Sequence, residues 1–356
     1  MSSGTLIASN NQLPEGWVML ESKANPGKFY FHYTPLGLSQ WHRPTQNSGE
    51  ASSILGQKRE RDDSQSKARR AEDGTESQGL AKKIAIIVPF RDLDKNQQRQ
   101  QHLNIFIPSL TRFLTSTGQN FCLYIIEQSD DRRKFNRGKL LNIGFEYAAK
   151  DGCDLFIFHD VDLIPSCELI PWYTTIPVQP AHVARVWNRY SLNPSYFGGV
   201  VAFSEEQFRK INGFPNTFWG WGGEDDEMML RVQKCQFKPV HPSEGDGTFL
   251  DLEENTLEQK VQFLKSNDTL KCMNKVEVLA EHAETWTFNG LSTMTFRELS
   301  VKRVPADAGI SVSGSVKIQV DVCLNNHWTD LVCSNDDMQR KIQPNQAKVE
   351  WTKSRK

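Results

Sequence analysis

CDLFIFHDVD, residues 153–162, runs from a continuous apolar stretch straight into two aspartates. A short apolar run of this kind is typical of a strand that is buried on both faces of a sheet. Two similar runs precede it, KIAIIVPF (83–90) and FCLYIIEQ (121–128). The segments between the runs, 100–114 and 137–152, carry apolar residues at helical spacing. This alternation predicts an α/β fold with a doubly wound, largely parallel sheet.

The second predicted helix shows the helical spacing clearly, and Gly152 is its stop signal. The residues expected to share its buried face are Leu140, Leu141, Gly144, Phe145 and Ala148. Ligands of doubly wound sheets bind beyond the carboxyl ends of the strands. We therefore expect a ligand site among the three loops that follow the strands, which read PFRD, EQSDDRRKFNR and HDVDLIP.

Composition excludes several classes of protein. The 356 residues are 38% hydrophobic, with 20 Phe and 9 Trp, so the chain can bury a large core. A formal charge of −1 gives no general attraction to nucleic acid or to anionic membranes. The seven cysteines show no C-x-x-C spacing, which argues against a disulfide framework and a zinc site. Without a signal-like start or a membrane-length apolar run, the expectation is a soluble intracellular protein.

The first 82 residues divide into two parts. Residues 13–45 are rich in aromatic and turn residues, whereas 46–82 contain mostly Ser, Gln, Gly and charges, which predicts a disordered linker. A nuclear localisation signal is one interpretation of the basic groups Lys58, Arg59, Arg61, Lys67, Arg69 and Arg70. Because acids are interleaved among them, we favour a solvated linker of mixed charge.

Residues 13–45 resemble a WW domain, a small all-β module of three strands. The resemblance rests on an LP-x-G-W start at Trp17 and a W-x-x-P end at Trp41. It implies a groove formed by Phe31 and Trp41 that binds proline-rich peptides in the polyproline II conformation. Tyr33 and Thr34 replace residues that are usual in WW domains, and a purely structural module is the alternative.

Two further stretches carry candidate ligand-binding residues. Asp160 and Asp162 leave a strand at positions i and i+2, a pattern that suits a divalent cation held with phosphate oxygens. A strand-end turn is the alternative, but the apolar strand that runs straight into the two acids favours a ligand site. Arg137 and Lys139 lie at the start of the predicted helix that precedes this strand, where they are expected to meet a pyrophosphate or else to form an exposed face. Gly198, at the head of another strand, allows close approach of a ligand to the backbone.

The stretch FWGWGGEDDEMM, residues 218–229, places two tryptophans beside four acids. Asp225 and Asp226 fall in the first turn of a predicted helix, where the helix dipole favours anions. That explanation does not account for Trp219 and Trp221. Tryptophan faces bind sugar rings, and carboxylates bind and deprotonate sugar hydroxyls, so the stretch indicates a sugar site with a built-in base.

Residues 83 to about 330 resemble the β1,4-galactosyltransferase family of metal-dependent, inverting glycosyltransferases with a GT-A fold. The motifs that carry the resemblance are PFRD (89–92), FNRGKLLNIGF (135–145), DVDLIP (160–165), YFGGV (196–200), NGFPNTFWGWGGEDDE (212–227) and NGLSTMTF (289–296). The later sequence AGISVSGSVKIQVDVCLNNHWTD is more similar to the xylosylprotein galactosyltransferase branch. The resemblance implies a mixed, Rossmann-like nucleotide-sugar sheet over 83–335 and leaves a basic tail at 336–356.

The resemblance assigns functional roles to residues of this chain that occupy the matching motif positions. The residues expected at the nucleotide-sugar are Pro89, Phe90, Arg91, Phe135, Arg137, Asp160, Tyr196, Gly198 and Trp221. The resemblance implies Asp225 as general base, with Glu224 and Asp226 orienting the acceptor hydroxyls beside Trp221. Tyr196 would favour galactose over N-acetylgalactosamine by filling the space of the acetyl group. The expected metal ligand of the DVD motif is Asp162.

Two departures from the family stand at the donor site. Family members have a second basic residue just after the PFR motif, where this chain has Leu93. The xylosylprotein branch supplies its other metal ligands from TFRHLHD, but this chain reads TFLDLEE, so Asp251 and Glu253 replace two histidines. An all-oxygen site would bind Mn²⁺ or Mg²⁺, unless three carboxylates beside a pyrophosphate are too negative. His241 is a candidate nitrogen ligand, with a surface histidine as the favoured interpretation.

The predicted function is Mn²⁺-dependent transfer of galactose from UDP-galactose to a glycan or glycoprotein acceptor, with proline-rich protein partners recruited by the WW module. A non-catalytic WW adaptor that retains the fold is the alternative hypothesis. We expect no direct binding of nucleic acid and no membrane span. The expected location is the cytoplasm or nucleus, with the Golgi as the family-based alternative.

Overall fold

A computed structural model describes residues 77–93, 97–190, 193, 195–267, 270–272, 274–305 and 314–322, together with three short strands near the N-terminus. Those three strands are β1 Trp17–Glu21, β2 Phe29–Tyr33 and β3 Leu38–Gln40. They form an antiparallel sheet in the order β1-β2-β3. Trp41 and the predicted basic tail lie outside the described residues.

The remaining elements follow in chain order. The strands are β4 Ser77–Leu80, β5 Lys83–Phe90, β6 Asn120–Gln128, β7 Leu155–His159, β8 Leu163–Pro165, β9 Thr175–Pro177, β10 Ala181–His182, β11 Val200–Ser204, β12 Phe249–Asp251, β13 Arg297–Pro305 and β14 Gly314–Asp321. The helices are α1 Arg99–Thr115, α2 Arg137–Lys150, α3 Ile170–Thr174, α4 Glu205–Lys210, α5 Glu224–Lys234, α6 Leu257–Lys265, α7 Lys275–Ala280 and α8 His282–Thr285.

The central sheet has seven strands in the order β10-β11-β7-β5-β6-β14-β13. β7, β5, β6 and β14 are parallel to one another, and the antiparallel strands β11, β10 and β13 complete the two sides. The predicted α/β fold with a mixed, doubly wound sheet is therefore confirmed. The continuous apolar runs of β5, β6 and β7 follow from their position, because both faces of these strands are covered.

Helices cover the two faces of the sheet. Alternate residues of β5 divide between two hydrophobic clusters: Ile84 and Ile86 lie with the apolar residues of α1, and Ala85 and Ile87 lie with those of α2. The predicted buried face of α2 is confirmed, since Leu140, Leu141, Phe145 and Ala148 are all buried, as is Gly144. The α2 helix ends at Lys150, just before the predicted stop signal Gly152.

The predicted linker ends earlier than its boundary of 82. Residues 77–80 form β4, which pairs with β9, and Ala81 is buried. The backbone amides of Lys82 and Lys83 donate hydrogen bonds to the carboxylate of Asp154. These backbone contacts order the segment even though its side chains have little to bury.

A second small sheet brings a distant segment to the site. β12 pairs antiparallel with β8, with Asp251 opposite Leu163, and the amide of Leu252 donates to the carbonyl oxygen of Asp162 at 2.8 Å. The carboxylates of Asp162 and Asp251 therefore share one region. None of the helices in the described part of the chain has the length and apolarity needed to cross a lipid bilayer.

Candidate active site

A cavity of about 350 Å³ opens where β5 and β7 end and where α1, α2 and α5 begin. This is the edge at which doubly wound sheets bind ligands. The predicted site residues that line the cavity are Pro89, Phe90, Arg91, Phe135, Arg137, Asp160, Asp162, Tyr196, Trp221, Glu224, Asp225, Asp226 and Glu253. Gly198 and Asp251 contact residues of this wall rather than the cavity itself.

Arg137 is the centre of one polar group in the cavity. Its guanidinium donates to Asp160 at 2.9 Å and to Asp225 at 2.8 Å, and it lies 3.6 Å from Glu224. Burial opposes its positive charge, but the three carboxylates outweigh burial and raise the pKa of Arg137. The side chain of Asn136 accepts a hydrogen bond from the amide of Lys139 and so fixes the start of α2.

The carboxyl of Asp225 is held against the backbone at Gly198. A Cβ atom at Gly198 would lie 2.1 Å from Oδ2 of Asp225, so only glycine leaves room for this carboxyl. Burial raises the pKa of Asp225 well above its usual value, and Glu224 and Asp160 add to the effect while Arg137 opposes it. A carboxylate with a raised pKa is a stronger base than one exposed to water.

The four acids at the start of α5 have different environments. Glu224 faces the cavity, and its Oε2 atom is buried with no hydrogen-bond partner. Burial raises the pKa of Glu224. Asp226 pairs with Lys275 at the rim. Glu227 is fully buried and pairs with Arg231 inside the protein, so it belongs to the core.

The two tryptophans also differ. Trp219 is buried in the core, whereas Trp221 lines the cavity with 44% of its surface exposed. Gly223 caps α5 with φ 106°, a conformation that favours glycine, and it turns the chain from Trp221 into the helix. Tyr196, which also lines the cavity, stacks on Tyr190 with ring centroids 4.1 Å apart.

Arg91 and Phe135 form another part of the wall. The guanidinium of Arg91 lies 5.6 Å from the ring centroid of Phe135 and donates to the carbonyl of Arg133 at 2.7 Å. Asp131 lies 3.7 Å from the same guanidinium. Burial lowers the pKa of Arg91. A flat cation beside an aromatic ring is suited to a base or phosphate ligand.

The three predicted metal ligands come together, but each one is paired with a basic side chain. Asp162 accepts from Arg99 at 2.7 Å. Asp251 lies 2.6 Å from Arg189. The remaining pairs all involve Glu253, with Arg99 at 2.5 Å, Arg189 at 2.9 Å and Lys260 at 2.7 Å. We call these six residues the charge cluster.

The basic residues and burial shift the pKa values of the three carboxyl groups in different directions. Burial favours the neutral form of Asp162, but Arg99 dominates and holds the pKa of Asp162 well below its usual value. Burial likewise acts to raise the pKa of Glu253, and Arg99 and Lys260 lower it overall. For Asp251 burial prevails, and its pKa is raised to about 6.

These residues do not form a metal site as they stand. Carboxylate oxygens suit hard divalent cations, so the donor chemistry is appropriate. Within the part of the chain that the structure describes, however, no group of three His, Cys, Asp or Glu side chains is arranged to hold a metal ion. Oxygens of all three carboxylates are instead paired with Arg99, Arg189 and Lys260.

Sequence reasoning missed the three basic members of the charge cluster. Arg99 has a recognisable signal, because it is the first residue of α1 and helices that follow parallel strands begin at the ligand-binding edge. It supplies a basic group to the cavity wall that also carries Leu93. Arg189 and Lys260 have no comparable signal, since loop and helix contacts far apart in sequence bring them in.

Lys139 and His241 both lie away from the cavity. Lys139, expected near a pyrophosphate, is buried and donates to the carbonyl of Val322 at 2.6 Å, so it is turned away from the cavity. His241 is exposed and hydrogen-bonded to the carbonyl of Pro242, which agrees with a surface histidine.

Two family models match most of the described region. Residues 58–172 match the N-terminal region of glycosyl transferase group 7. Residues 179–254 match a model described as the N-terminal domain of galactosyltransferase. The two matches are separated by residues 173–178 and contain every residue discussed above as a cavity carboxylate.

Curated relatives agree with the family models. Beta-1,4-galactosyltransferase 4 of Mus musculus is 37% identical over 234 residues, which are 65% of this chain and 63% of the relative. Beta-1,4-galactosyltransferase 5 of Mus musculus is 40% identical over 186 residues, 51% of this chain and 45% of the relative. The chain thus spans less than two thirds of the length of these relatives.

Solved structures show the same fold. The catalytic domain of Drosophila beta1,4galactosyltransferase 7, in complex with xylobiose, is 28% identical with a TM-score of 0.56, over 70% of this chain and 97% of that one. A mutant of that Drosophila protein, in complex with manganese, UDP-Gal and xylobiose, is 27% identical with a TM-score of 0.55 and the same coverage. That complex supports the Mn²⁺ cofactor expected from the family resemblance.

Proposed function

The chain belongs to the β1,4-galactosyltransferase family, and on that premise we propose that it transfers galactose from UDP-galactose to a sugar hydroxyl of a glycan or glycoprotein. One observation carries the proposal. Asp225 is a half-buried carboxyl of raised pKa at the wall of the cavity, and the exposed ring of Trp221 lines the same cavity. A base beside a flat apolar surface is the combination that a sugar acceptor requires.

We propose the following chemistry at the acceptor. The carboxylate of Asp225 takes the proton of the acceptor hydroxyl as its oxygen attacks the anomeric carbon of galactose. The bond from that carbon to the diphosphate oxygen breaks, and UDP leaves with the electron pair. A single in-line displacement inverts the anomeric carbon. Arg137 orients the Asp225 carboxyl through its 2.8 Å hydrogen bond.

Glu224 and Asp226 are proposed to bind the acceptor. Glu224 Oε2 is buried without a partner, and a buried acceptor atom of this kind is suited to a hydroxyl donor from the substrate. The ring of Trp221 is exposed and lines the same cavity. The relative from Drosophila was solved with xylobiose, so xylosides are the first acceptors to test, followed by GlcNAc.

The donor is proposed to occupy the wall formed by Pro89, Phe90, Arg91 and Phe135, with Asp160 at its ribose. Arg91 lies over Phe135 and carries the positive charge that a diphosphate needs. Tyr196, fixed by its stacking on Tyr190, is proposed to fill the space of an N-acetyl group and to favour galactose over N-acetylgalactosamine.

Transfer of labelled galactose from UDP-galactose tests this function. The full chain is incubated with UDP-galactose or UDP-N-acetylgalactosamine and with xyloside and GlcNAc acceptors, with and without Mn²⁺. The expected result is product with UDP-galactose and markedly less with UDP-N-acetylgalactosamine, because Tyr196 leaves no room for the acetyl group. Absence of transfer and of donor hydrolysis under all conditions would support the alternative of a non-catalytic adaptor.

We also propose that residues 13–45 are a WW module that binds proline-rich partners. The antiparallel order β1-β2-β3 supports the proposal, with Trp17 opposite Tyr33 and Phe31 opposite Gln40. Titration of the full chain with proline-rich peptides, followed by tryptophan fluorescence, is expected to show saturable binding that Phe31→Ala abolishes. Binding that survives this substitution would contradict the proposed groove.

A further inference from the structure

The charge cluster occupies the place where the resemblance predicts a metal. Asp162 follows β7, and the pairing of β12 with β8 brings Asp251 and Glu253 to the same wall. In the family branch that this chain resembles, the two later positions hold histidines. Here they hold acids, and three basic residues are found beside them. The sequence change and the basic contacts involve the same side chains.

The cluster is balanced in charge and shielded from water. Asp162, Asp251 and Glu253 carry three negative charges, and Arg99, Arg189 and Lys260 carry three positive charges. The side chain of Arg189 is only 4% exposed and that of Glu253 only 6%. Buried ions of opposite charge stabilise each other strongly once both have lost their hydration. Removing either partner leaves an uncompensated charge inside the protein.

Arg99 bridges two of the acids in the way that a cation would. One terminal nitrogen donates to Asp162 at 2.7 Å and the other to Glu253 at 2.5 Å. The Nζ atom of Lys260 donates to both oxygens of Glu253, and the ring nitrogen of Trp187 donates to Asp251 at 3.1 Å. A divalent ion would have to displace these donors before it reached the carboxylates.

The basic residues also line the cavity that the donor is proposed to occupy. Arg99, Arg189 and Lys260 line the same cavity as Arg91 and Phe135. Guanidinium groups bind phosphate oxygens through paired hydrogen bonds, and an ammonium group binds them as a point charge. A diphosphate in the cavity therefore meets guanidinium and ammonium donors, and the carboxylates paired with them are already neutralised.

We propose that Arg99, Arg189 and Lys260 take the place of the divalent ion, so that this chain binds its nucleotide-sugar donor without a metal. The inference rests on the proposed function for the identity of the donor. It departs from the related Drosophila complex, which contains manganese with UDP-Gal. Here side chains of the charge cluster offset the charge of the carboxylates, and Arg91 carries the positive charge for the diphosphate.

Calorimetric titration of the full chain with UDP-galactose, in EDTA and in Mn²⁺, tests the inference. The expected dissociation constants differ by less than about threefold. Binding that appears only with Mn²⁺ would overturn the metal-free donor site and leave the proposed function intact. Failure to bind UDP-galactose in either condition would overturn the proposed function itself.

A second measurement does not depend on the donor. Electron paramagnetic resonance of Mn²⁺ is expected to show no bound ion on the wild-type chain, since its carboxylates are occupied. Combined Arg189→Met and Lys260→Met frees Asp251 and part of Glu253, so Mn²⁺ should raise the melting temperature of this variant by about 4 °C or more. The exposed Arg209→Met is the matched control and should show no shift. Tight Mn²⁺ binding by the wild-type chain would overturn the inference, even if the double variant fails to fold.

Discussion

Asp225→Asn is expected to reduce galactose transfer by roughly 10²–10⁴-fold, the range by which a positioned general base accelerates a reaction. The amide keeps the size of the carboxyl, so the fit beside Gly198 and the contact with Arg137 can be retained. What the variant loses is the ability to accept the proton of the acceptor hydroxyl. The loss should appear in kcat more than in the KM for either substrate.

Two comparisons separate catalysis from folding in this variant. Binding of UDP-galactose by calorimetry should be close to that of the wild-type chain, because Asp225 acts on the acceptor. Glu206→Gln is a matched control: Glu206 is an exposed acid in the first turn of α4, away from the cavity, and its substitution should leave transfer unchanged. An Asp225→Asn variant that retains more than about a tenth of wild-type transfer would exclude Asp225 as the base.

The pH dependence of transfer has a defined sign. A carboxyl base is active only when ionised, and burial raises the pKa of Asp225 above its usual value, with Glu224 and Asp160 adding to the effect and Arg137 opposing it. As the pH falls, Asp225 therefore becomes protonated at a higher pH than an exposed aspartate does. The acidic limb of the kcat profile should lie above the usual carboxyl range, and it should be missing from the residual activity of Asp225→Asn.

Much of the fold could be predicted because it depends on local patterns. The apolar runs of β5, β6 and β7 indicate burial on both faces, and the helical spacing around Leu140 and Phe145 indicates which side of α2 faces the sheet. The rule that ligands lie beyond the carboxyl ends of parallel strands then places Asp160 and Arg137 together. These inferences need no knowledge of distant contacts.

The charge cluster depends on contacts that no local pattern reports. Arg189 meets Asp251, which lies 62 residues later in the chain, and β12 reaches the site because it pairs with β8. The sequence alone shows only that Asp251 and Glu253 replace two histidines that are expected to bind a metal. Only their partners in space show that the negative charge is compensated within the protein.

The environments of the four acids of α5 also depend on contacts that are distant in sequence. Their spacing predicts that they lie in one turn, which they do. It does not predict that Glu227 is buried against Arg231 while Asp225 borders the cavity. The difference arises from the segments packed around the helix, since Asn212 and Gly213 accept hydrogen bonds from Arg231 and hold it inside.

Arg137→Met is expected to lower the free energy of unfolding at neutral pH by about 3–5 kcal/mol, the usual cost of removing one partner of a buried ion pair. Asp160, Asp225 and Glu224 would lose the counter-charge that holds them together at the start of α2 and α5. Urea denaturation of the full chain measures this loss. Transfer should fall as well, because the Asp225 carboxyl is no longer oriented.

Arg209→Met is the matched control for this substitution. Arg209 also contacts two carboxylates, those of Glu205 at 2.8 Å and Glu146 at 3.0 Å, but its side chain is 44% exposed. Exposed pairs of this kind contribute about 0.2–1 kcal/mol, so the control should change little. The deficit of Arg137→Met should also shrink as the pH falls, because protonation removes the unpaired charges. Equal effects of the two substitutions, or a deficit independent of pH, would mean that Arg137 does not serve as the counter-charge of this site.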